Sequence, residues 1–354
     1  MRYLKLLLSM FLALLCSMTA SVYGFEVDGI HYHITSSTST DLTVEVTYEG
    51  YKYGYYSSYS GAVIIPETVT YEGKTYRVTS IGENAFCKSS SLTSITIPKG
   101  VTTIGNCAFN GCTSLKEIII EDASTTLLLG YAYYNTDRHE PGKGLFYDCP
   151  LEKVHLGRNL SYTSDKSYGY SPFHNRTMLT SVTIGDSVTS IGNYLFYDCS
   201  SLTAITIPEG VTEIGWDAFS GCSSLYKVIN KSNLSVSEGL TNNGSVAYYA
   251  KVVYDKSELT TVGDFQFHTA DNTHPLVNYI GGDTEIVLPD SYNGESYKIG
   301  NYAFINCSNL NSITISEGVT EIGWNAFYGC VNLTSITIPE SVTSIRKDAF
   351  QDCI

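Results

Sequence analysis

Apolar and polar positions alternate in one order that returns along the chain. The sequence reads LTSITIPKGVTTIGNCAFNGCTS from Leu92, LTSVTIGDSVTSIGNYLFYDCSS from Leu179 and LTAITIPEGVTEIGWDAFSGCSS from Leu202. It resumes as LNSITISEGVTEIGWNAFYGCVN from Leu310 and LTSITIPESVTSIRKDAFQDC from Leu333. Leu92 to Leu115, Leu179 to Leu202, Leu202 to Leu225 and Leu310 to Leu333 are each 23 residues apart. A fixed period of this length with a Leu-x-x-Ile-x-Ile core predicts a leucine-rich solenoid. In the coil from Leu92, Leu92, Ile95 and Ile97 point inward from a short strand while Ser94 and Thr96 alternate outward. Pro98 and Gly100 end that strand, since proline cannot donate to a ladder and glycine lets the chain turn. Val101 and Ile104 return to the core from the opposite wall. Ala108, Phe109 and Cys112 then fit a helical or 3-10 turn whose phenyl plugs the coil. One coil buries little; stacked coils bury a continuous core.

Nine such plugs are visible: Phe86, Phe109, Phe146, Phe173, Phe196, Phe219, Phe304, Phe327 and Phe350. Their spacing departs from 23 where Leu127–Gly144 and Ser161–Ser171 interrupt the repeat with Tyr-, Gly- and Ser-rich loops. Between Phe219 and Phe304 the pattern is lost, and SVAYYAKVVYD, DFQFHTA and HPLVNYIGG read as short strands broken by turn residues. Two matching lead-ins, with a strand ending at Pro66 or Pro289 and then a Tyr-x-Gly-x-x-Tyr hairpin, start the repeat twice. The organisation expected is a leader at 1–24, a β cap at 25–61 and a first repeat block at 62–230. A β-rich insertion at 231–283 and a second block at 284–354 follow. Because the second block stops straight after its last plug, at Ile354, the natural protein is expected to continue or this chain to be a fragment.

The motif LTSITIPxxVTxIGxxAFxxC resembles the BspA-like leucine-rich repeat family of bacterial surface proteins, over most of residues 62–354. The resemblance implies a right-handed solenoid at the cell surface, adhesion to host proteins such as fibronectin and fibrinogen, and co-aggregation between cells. It supplies no catalytic residue and no short binding motif. Three places depart from the family pattern: Cys87 beside Phe86 instead of a Cys three residues after it, Pro172 before Phe173, and Arg346 where other coils have Gly.

Charge and the N-terminus then set the context. Arg2 and Lys5 precede an apolar run from Leu6 to about Cys16, and small residues up to Gly24 complete a secretory signal peptide. That run is too short to span a bilayer, and no later stretch is apolar enough. Cys16 follows Leu15, where a lipid-anchor site wants a small residue, so a cleaved leader is favoured over lipidation. With a net charge of −14 and no basic run, the chain lacks what phosphate neutralisation requires, which excludes a nucleic-acid binder.

Seven of the ten cysteines, Cys112, Cys149, Cys199, Cys222, Cys307, Cys330 and Cys353, share one repeat position three residues after a Phe. An exported chain invites a disulfide framework. Equivalent positions in successive coils form a column, however, and free Cys packs as a small hydrophobe. Packed thiols are the expectation, with Cys87 and Cys107 as the pair if any bridge forms. His31 and His33 share one strand face and could begin a metal site, but Glu26 and Asp28 give no recognised ligand spacing, so a polar strand face is favoured. No Gly-x-Ser-x-Gly elbow, phosphate loop or Cys-x-x-Cys occurs, and neither an enzyme nor a cofactor is expected.

Two surfaces remain as candidates for recognition. Outward Ser94, Thr96, Ser181, Thr183, Thr206, Ser312, Thr314, Ser335 and Thr337 form a Ser/Thr ladder, explained equally by strand propensity. Tyr131, Tyr133, Tyr134, Tyr162, Tyr168 and Tyr170 stud the two insertions, and Tyr with Ser and Gly is the chemistry of adaptable binding loops. The function expected is a secreted or cell-surface adhesin binding host matrix or cell-surface proteins. A glycan-binding module and a stalk displaying a missing C-terminal domain are the alternatives. If the cysteine column holds packed thiols, unfolding without reductant should leave every cysteine beyond Cys16 open to alkylation, read by mass spectrometry; a set that resists labelling would mean disulfides.

Overall fold

The structure, a computed structural model, describes residues 24–48, 59–133, 143–163 and 171–353. Parallel strands run down two walls of a β-rich solenoid. On one wall Ser60–Ile64, Ser91–Ile97, Glu117–Ile120, Lys153–Leu156 and Ser181–Ile184 pair in chain order, and Ala204–Ile207, Lys227–Asn230 and Val252–Asp255 form a second ladder. The register stacks like on like: Ile95 lies beside Ile118 and Ile97 beside Ile120. Val154 and Leu156 continue both rows. At the N-terminal end the antiparallel strands Phe25–Val27, Ile30–Thr38 and Asp41–Thr47 join the opposite wall through Lys74–Ile81. There Tyr32, Val44 and Val46 are buried. Both lead-ins are hairpins with left-handed turn residues, Glu72 and Gly73 in the first and Asn293 and Gly294 in the second. These are the conformations a two-residue type I′ turn demands.

The phenyl plugs stack. Centroids of Phe86 and Phe109 are 5.2 Å apart, Phe146 and Phe173 5.4 Å, Phe173 and Phe196 5.6 Å, and Phe327 and Phe350 5.2 Å. Phe86 through Phe219, and Phe304 and Phe327, are fully buried, whereas Phe350 in the last coil is only partly covered. Each plug is bound to its neighbours through its main chain. Phe196 N–H donates to Ala218 of the next coil, and Phe196 C=O accepts both Cys199 N–H within its own coil (3.1 Å) and the Cys222 thiol of the next (3.2 Å). The same thiol-to-carbonyl bond joins Cys112 to Phe86, Cys199 to Phe173, Cys330 to Phe304 and Cys353 to Phe327.

Two further constraints fix the repeat's sequence. The residues two before and two after the Phe take left-handed backbone, as Asp217 and Gly221 do around Phe219 and Asn325 and Gly329 around Phe327. Asn, Asp and Gly tolerate that conformation best. The glycine four before the Phe is needed for clearance: a Cβ at Gly215 would lie 2.6 Å from the Asn193 nitrogen of the preceding coil. At the departing position Arg346 keeps the coil-to-coil bond to Ile322 and grips Glu321 with Nε and an Nη (2.6 and 3.2 Å).

The repeat does not stop at Lys231. Val252–Asp255 pairs in parallel with Lys227–Asn230, and Phe219 N–H donates to Gly244 as earlier plugs do to the coil that follows. A further coil therefore runs to Asp255, with Ser245, Val246 and Ala247 where a phenyl would be expected. Beyond it the antiparallel strands Leu259–Val262, Phe265–His268 and Leu276–Tyr279 lead into the second repeat series.

Phe196→Ala should cost about 3–5 kcal/mol in urea denaturation, the usual range for deleting a buried phenyl. Phe350→Ala, at the partly open end, should cost clearly less.

Candidate functional site

The outward strand face does not carry an unbroken Ser/Thr ladder. Register places Glu117 and Lys153 between Ser94 and Ser181, and Ile119 and His155 between Thr96 and Thr183. The coils that carry the insertions break the pattern. Lys116 pairs with Glu152 at 2.8 Å, and His155 bonds Thr183 at 2.9 Å with Asp122 3.4 Å from its other nitrogen. Ladder character survives in the second series, where Ser312 and Ser335 align, as do Thr314 and Thr337. Thr206 lies half-buried in the other ladder.

The second series is seated against this face. Lys227 projects outward from its strand, yet its side chain is buried, and Nζ donates to Asn278 Oδ1 (3.0 Å) and to the main-chain oxygen of Ala303 (3.1 Å). Asn306 donates to Thr203 at 2.8 Å, and the rings of Tyr226 and Tyr302 meet at 5.7 Å. Beside this seam a cleft of about 280 Å³ opens between Lys153, His155, Ser181 and Thr183 on one side and Tyr279, Asp283 and Cys307 on the other. Two of the predicted ladder residues thus line a concave site that no periodicity announces.

Among the described residues no carboxylate pairs with Lys227. Burial lowers its ammonium to a pKa of about 8, with Cys307 and Cys330 opposing. Cys307 is shifted below the ordinary thiol range by its hydrogen bond to Cys330 and by Lys227, against burial. Burial is the largest cause at Cys112 and Cys199 and pushes both up to about 12, whereas Cys330 is raised first by its hydrogen bond to Cys307. No disulfide joins the described cysteines, Cys87 and Cys107 included. The column is completed by two residues that are not cysteine: Ser89 after Phe86, and Arg176 after Phe173. The Arg176 guanidinium donates to the carbonyls of Phe146 and Cys149, which is the bond a thiol makes in other coils.

The insertion tyrosines divide. Tyr162 folds down, half-buried, and its hydroxyl donates to Asn193 C=O at 2.9 Å while Gly192 leaves room for the ring, so it is spent on packing rather than offered to a partner. Tyr131 is half-buried, with its amide bound to Asn106 Oδ1. Tyr133 is described in its backbone alone, and Tyr134, Tyr168 and Tyr170 lie outside the described residues. At the N-terminal end His33 bonds Glu45 at 3.1 Å.

The most exposed large apolar side chains include a pair the sequence reading passed over. Trp216 is 78% exposed and Trp324 57%, and each stands three residues before its plug, Phe219 in the first series and Phe327 in the second. Each has its amide anchored on an asparagine one coil back, Trp216 on Asn193 (2.8 Å) and Trp324 on Asn301 (2.9 Å). The shared motif Ile-Gly-Trp, repeated in two coils, was the available signal.

Parallel ladders, phenyl plugs and a 23-residue period define a leucine-rich repeat solenoid. The chain belongs to the BspA type leucine-rich repeat family, whose model matches residues 79–141, 139–273 and 284–354. Among solved structures it is similar to a leucine-rich cell surface protein of Faecalibacterium prausnitzii at 22% identity, covering 95% of this chain and 87% of that one with a TM-score of 0.34. A Bacteroides ovatus leucine-rich repeat protein is 24% identical over 94% of this chain and 80% of its own, also at a TM-score of 0.34. The T. pallidum leucine-rich repeat protein is 18% identical, with coverages of 88% and 91% and a TM-score of 0.31. No curated protein matches. No described helix is long and apolar enough to cross a membrane.

The unfolded chain's lysine titrates near 10.4, so from about pH 8 to 10 it holds more protons at position 227 than the folded chain, and stability from this group rises with pH there. Urea denaturation at the two ends of that window should show a gain, on the order of 3 kcal/mol at most, that Lys227→Met lacks.

Proposed function

We propose that this protein works outside the cell, exported by its leader and held at the surface, as an adhesive solenoid that binds proteins of the host matrix. The observation that carries the reading is the exposure of Trp216 and Trp324 on two copies of one local scaffold. Indole is enriched at interface hot spots because it buries a large area while losing little side-chain freedom. Two equivalent indoles on one rigid chain favour multivalent attachment, in which modest single contacts reinforce one another. The second series' Ser/Thr rows and the polar cleft add hydrogen-bonding groups for the rim of such a contact.

Binding to immobilised fibronectin and fibrinogen tests this by surface plasmon resonance. Trp216→Ala and Trp324→Ala should each weaken binding about tenfold or more, as loss of a hot-spot residue does, and the double variant should lose it nearly completely. Unchanged affinity in a folded double variant would place the contact elsewhere than the indoles, and no binding by the folded native protein would favour the stalk reading.

A further inference from the structure

The cap continues one wall of the solenoid and leaves the other open. Asp41–Thr47 pairs with Lys74–Ile81, so that wall runs on into the antiparallel cap strands. The other wall starts at Ser60–Ile64, which pairs with Ser91–Ile97 on one side and, among the described strands, with nothing on the other. Ile65 N–H donates to Thr96 C=O at 3.1 Å, and main-chain groups of a parallel strand alternate in direction. Val63 therefore faces the paired side with Ile65, while Ala62 and Ile64 turn their N–H and C=O groups to the open one. An unpaired strand edge is a template for a further strand. Here the edge forms one bank of a groove of about 480 Å³, and the turn joining Phe25–Val27 to Ile30–Thr38 forms the other. Tyr59 ties the two banks: its buried hydroxyl donates to Thr47 C=O (2.7 Å) and accepts from His31 N–H (3.0 Å). On the cap bank Glu26 and Asp28 are exposed and form no ion pair among the described residues. On the edge bank Ile64 is 71% exposed, in the outward file that Thr96 continues.

We propose that this groove takes an extended, basic polypeptide segment, which adds to Ser60–Ile64 as one more strand. The open main-chain groups of Ala62 and Ile64 supply bonds that any sequence can use. Side chains of an added strand alternate, so one set reaches Glu26 and Asp28 while the other covers Ile64. Charge selects the occupant. A second copy joined edge to edge would bring two pairs of carboxylates together in chains of net charge −14, and the chain's own sequence holds no basic run to fill the groove. A cationic partner meets complementary charge instead. The groove shares no residue with the exposed indoles, so its test and theirs fail separately.

Fluorescence anisotropy of a labelled, alternating Lys-Val hexapeptide with the native protein tests the assignment. The peptide should bind, more weakly as salt is raised, and an alternating Glu-Val hexapeptide should not. Methylating the peptide's amide nitrogens should weaken binding about tenfold or more, because the edge bonds are lost while the charge stays. Glu26→Gln combined with Asp28→Asn should weaken binding and flatten its salt dependence. Ile64→Pro removes the outward N–H and leaves the bonds of Val63 and Ile65 to Ser91–Ile97 in place, so it should abolish binding. Ile64→Thr, which gives the position the side chain of its neighbour Thr96, keeps the edge open and should cost far less. Where Ile64→Pro does not fold, the methylated peptide decides on the native protein. No binding, binding of the Glu-Val peptide, equal affinity for the methylated peptide, or unchanged affinity in folded Ile64→Pro would each overturn the proposal.

Discussion

The fold depends on a carbonyl that is shared between coils. The inner phenyl plugs are buried between neighbouring coils, and the main-chain oxygens of Phe86, Phe109, Phe196, Phe304 and Phe327 each accept one bond from their own turn and one from the thiol of the next coil. A buried carbonyl left unpaired costs about 1–3 kcal/mol, so the residue three after the Phe must supply a donor. Cysteine meets the need with little volume, and burial keeps it protonated. Arginine does the same at position 176, where its guanidinium donates to the Phe146 carbonyl. The column is thus a row of donors, and its chemical identity matters less than its hydrogen.

This explains how much was legible in the sequence. The strands, the plugs and the period followed from side chains that recur, because every coil solves the same packing problem. The cysteines could be read as packed thiols for the same reason. Arg176 was missed because it satisfies the Phe146 carbonyl with a different side chain, and only geometry shows that it stands in one file with cysteine. The coil ending at Asp255 was missed because Ser245, Val246 and Ala247 fill with small groups the space a phenyl fills elsewhere.

The candidate site was less legible because it arises where repetition fails. Ser181 and Thr183 were identified as outward residues, but their neighbours across the ladder come from coils lengthened by insertions, and the opposite wall of the cleft, Tyr279, Asp283 and Cys307, comes from far along the chain. A periodic pattern specifies what stacks on what; it carries no information on which face a later series will be laid against. Lys227 illustrates this: in sequence it is an outward polar residue of an ordinary strand, and only the seating of the second series turns it into a buried cation. Trp216 and Trp324 carry a signal in the shared Ile-Gly-Trp, but the same position holds Asn106, Asn193 and Asn301 in other coils, so the period alone does not mark it as a place for exposed indoles.

The seam at Lys227 has a mechanical side. Within each series, coils are joined by parallel ladders, shared carbonyls and stacked rings, and these bonds lie side by side and must yield together. Across the seam the described polar links are few: Lys227 to Asn278 and Ala303, and Asn306 to Thr203. A load between the two series would therefore be carried by these few links and by the apolar contact of Ile229, Tyr254 and Val277, whereas a load within a series would meet whole ladders of bonds.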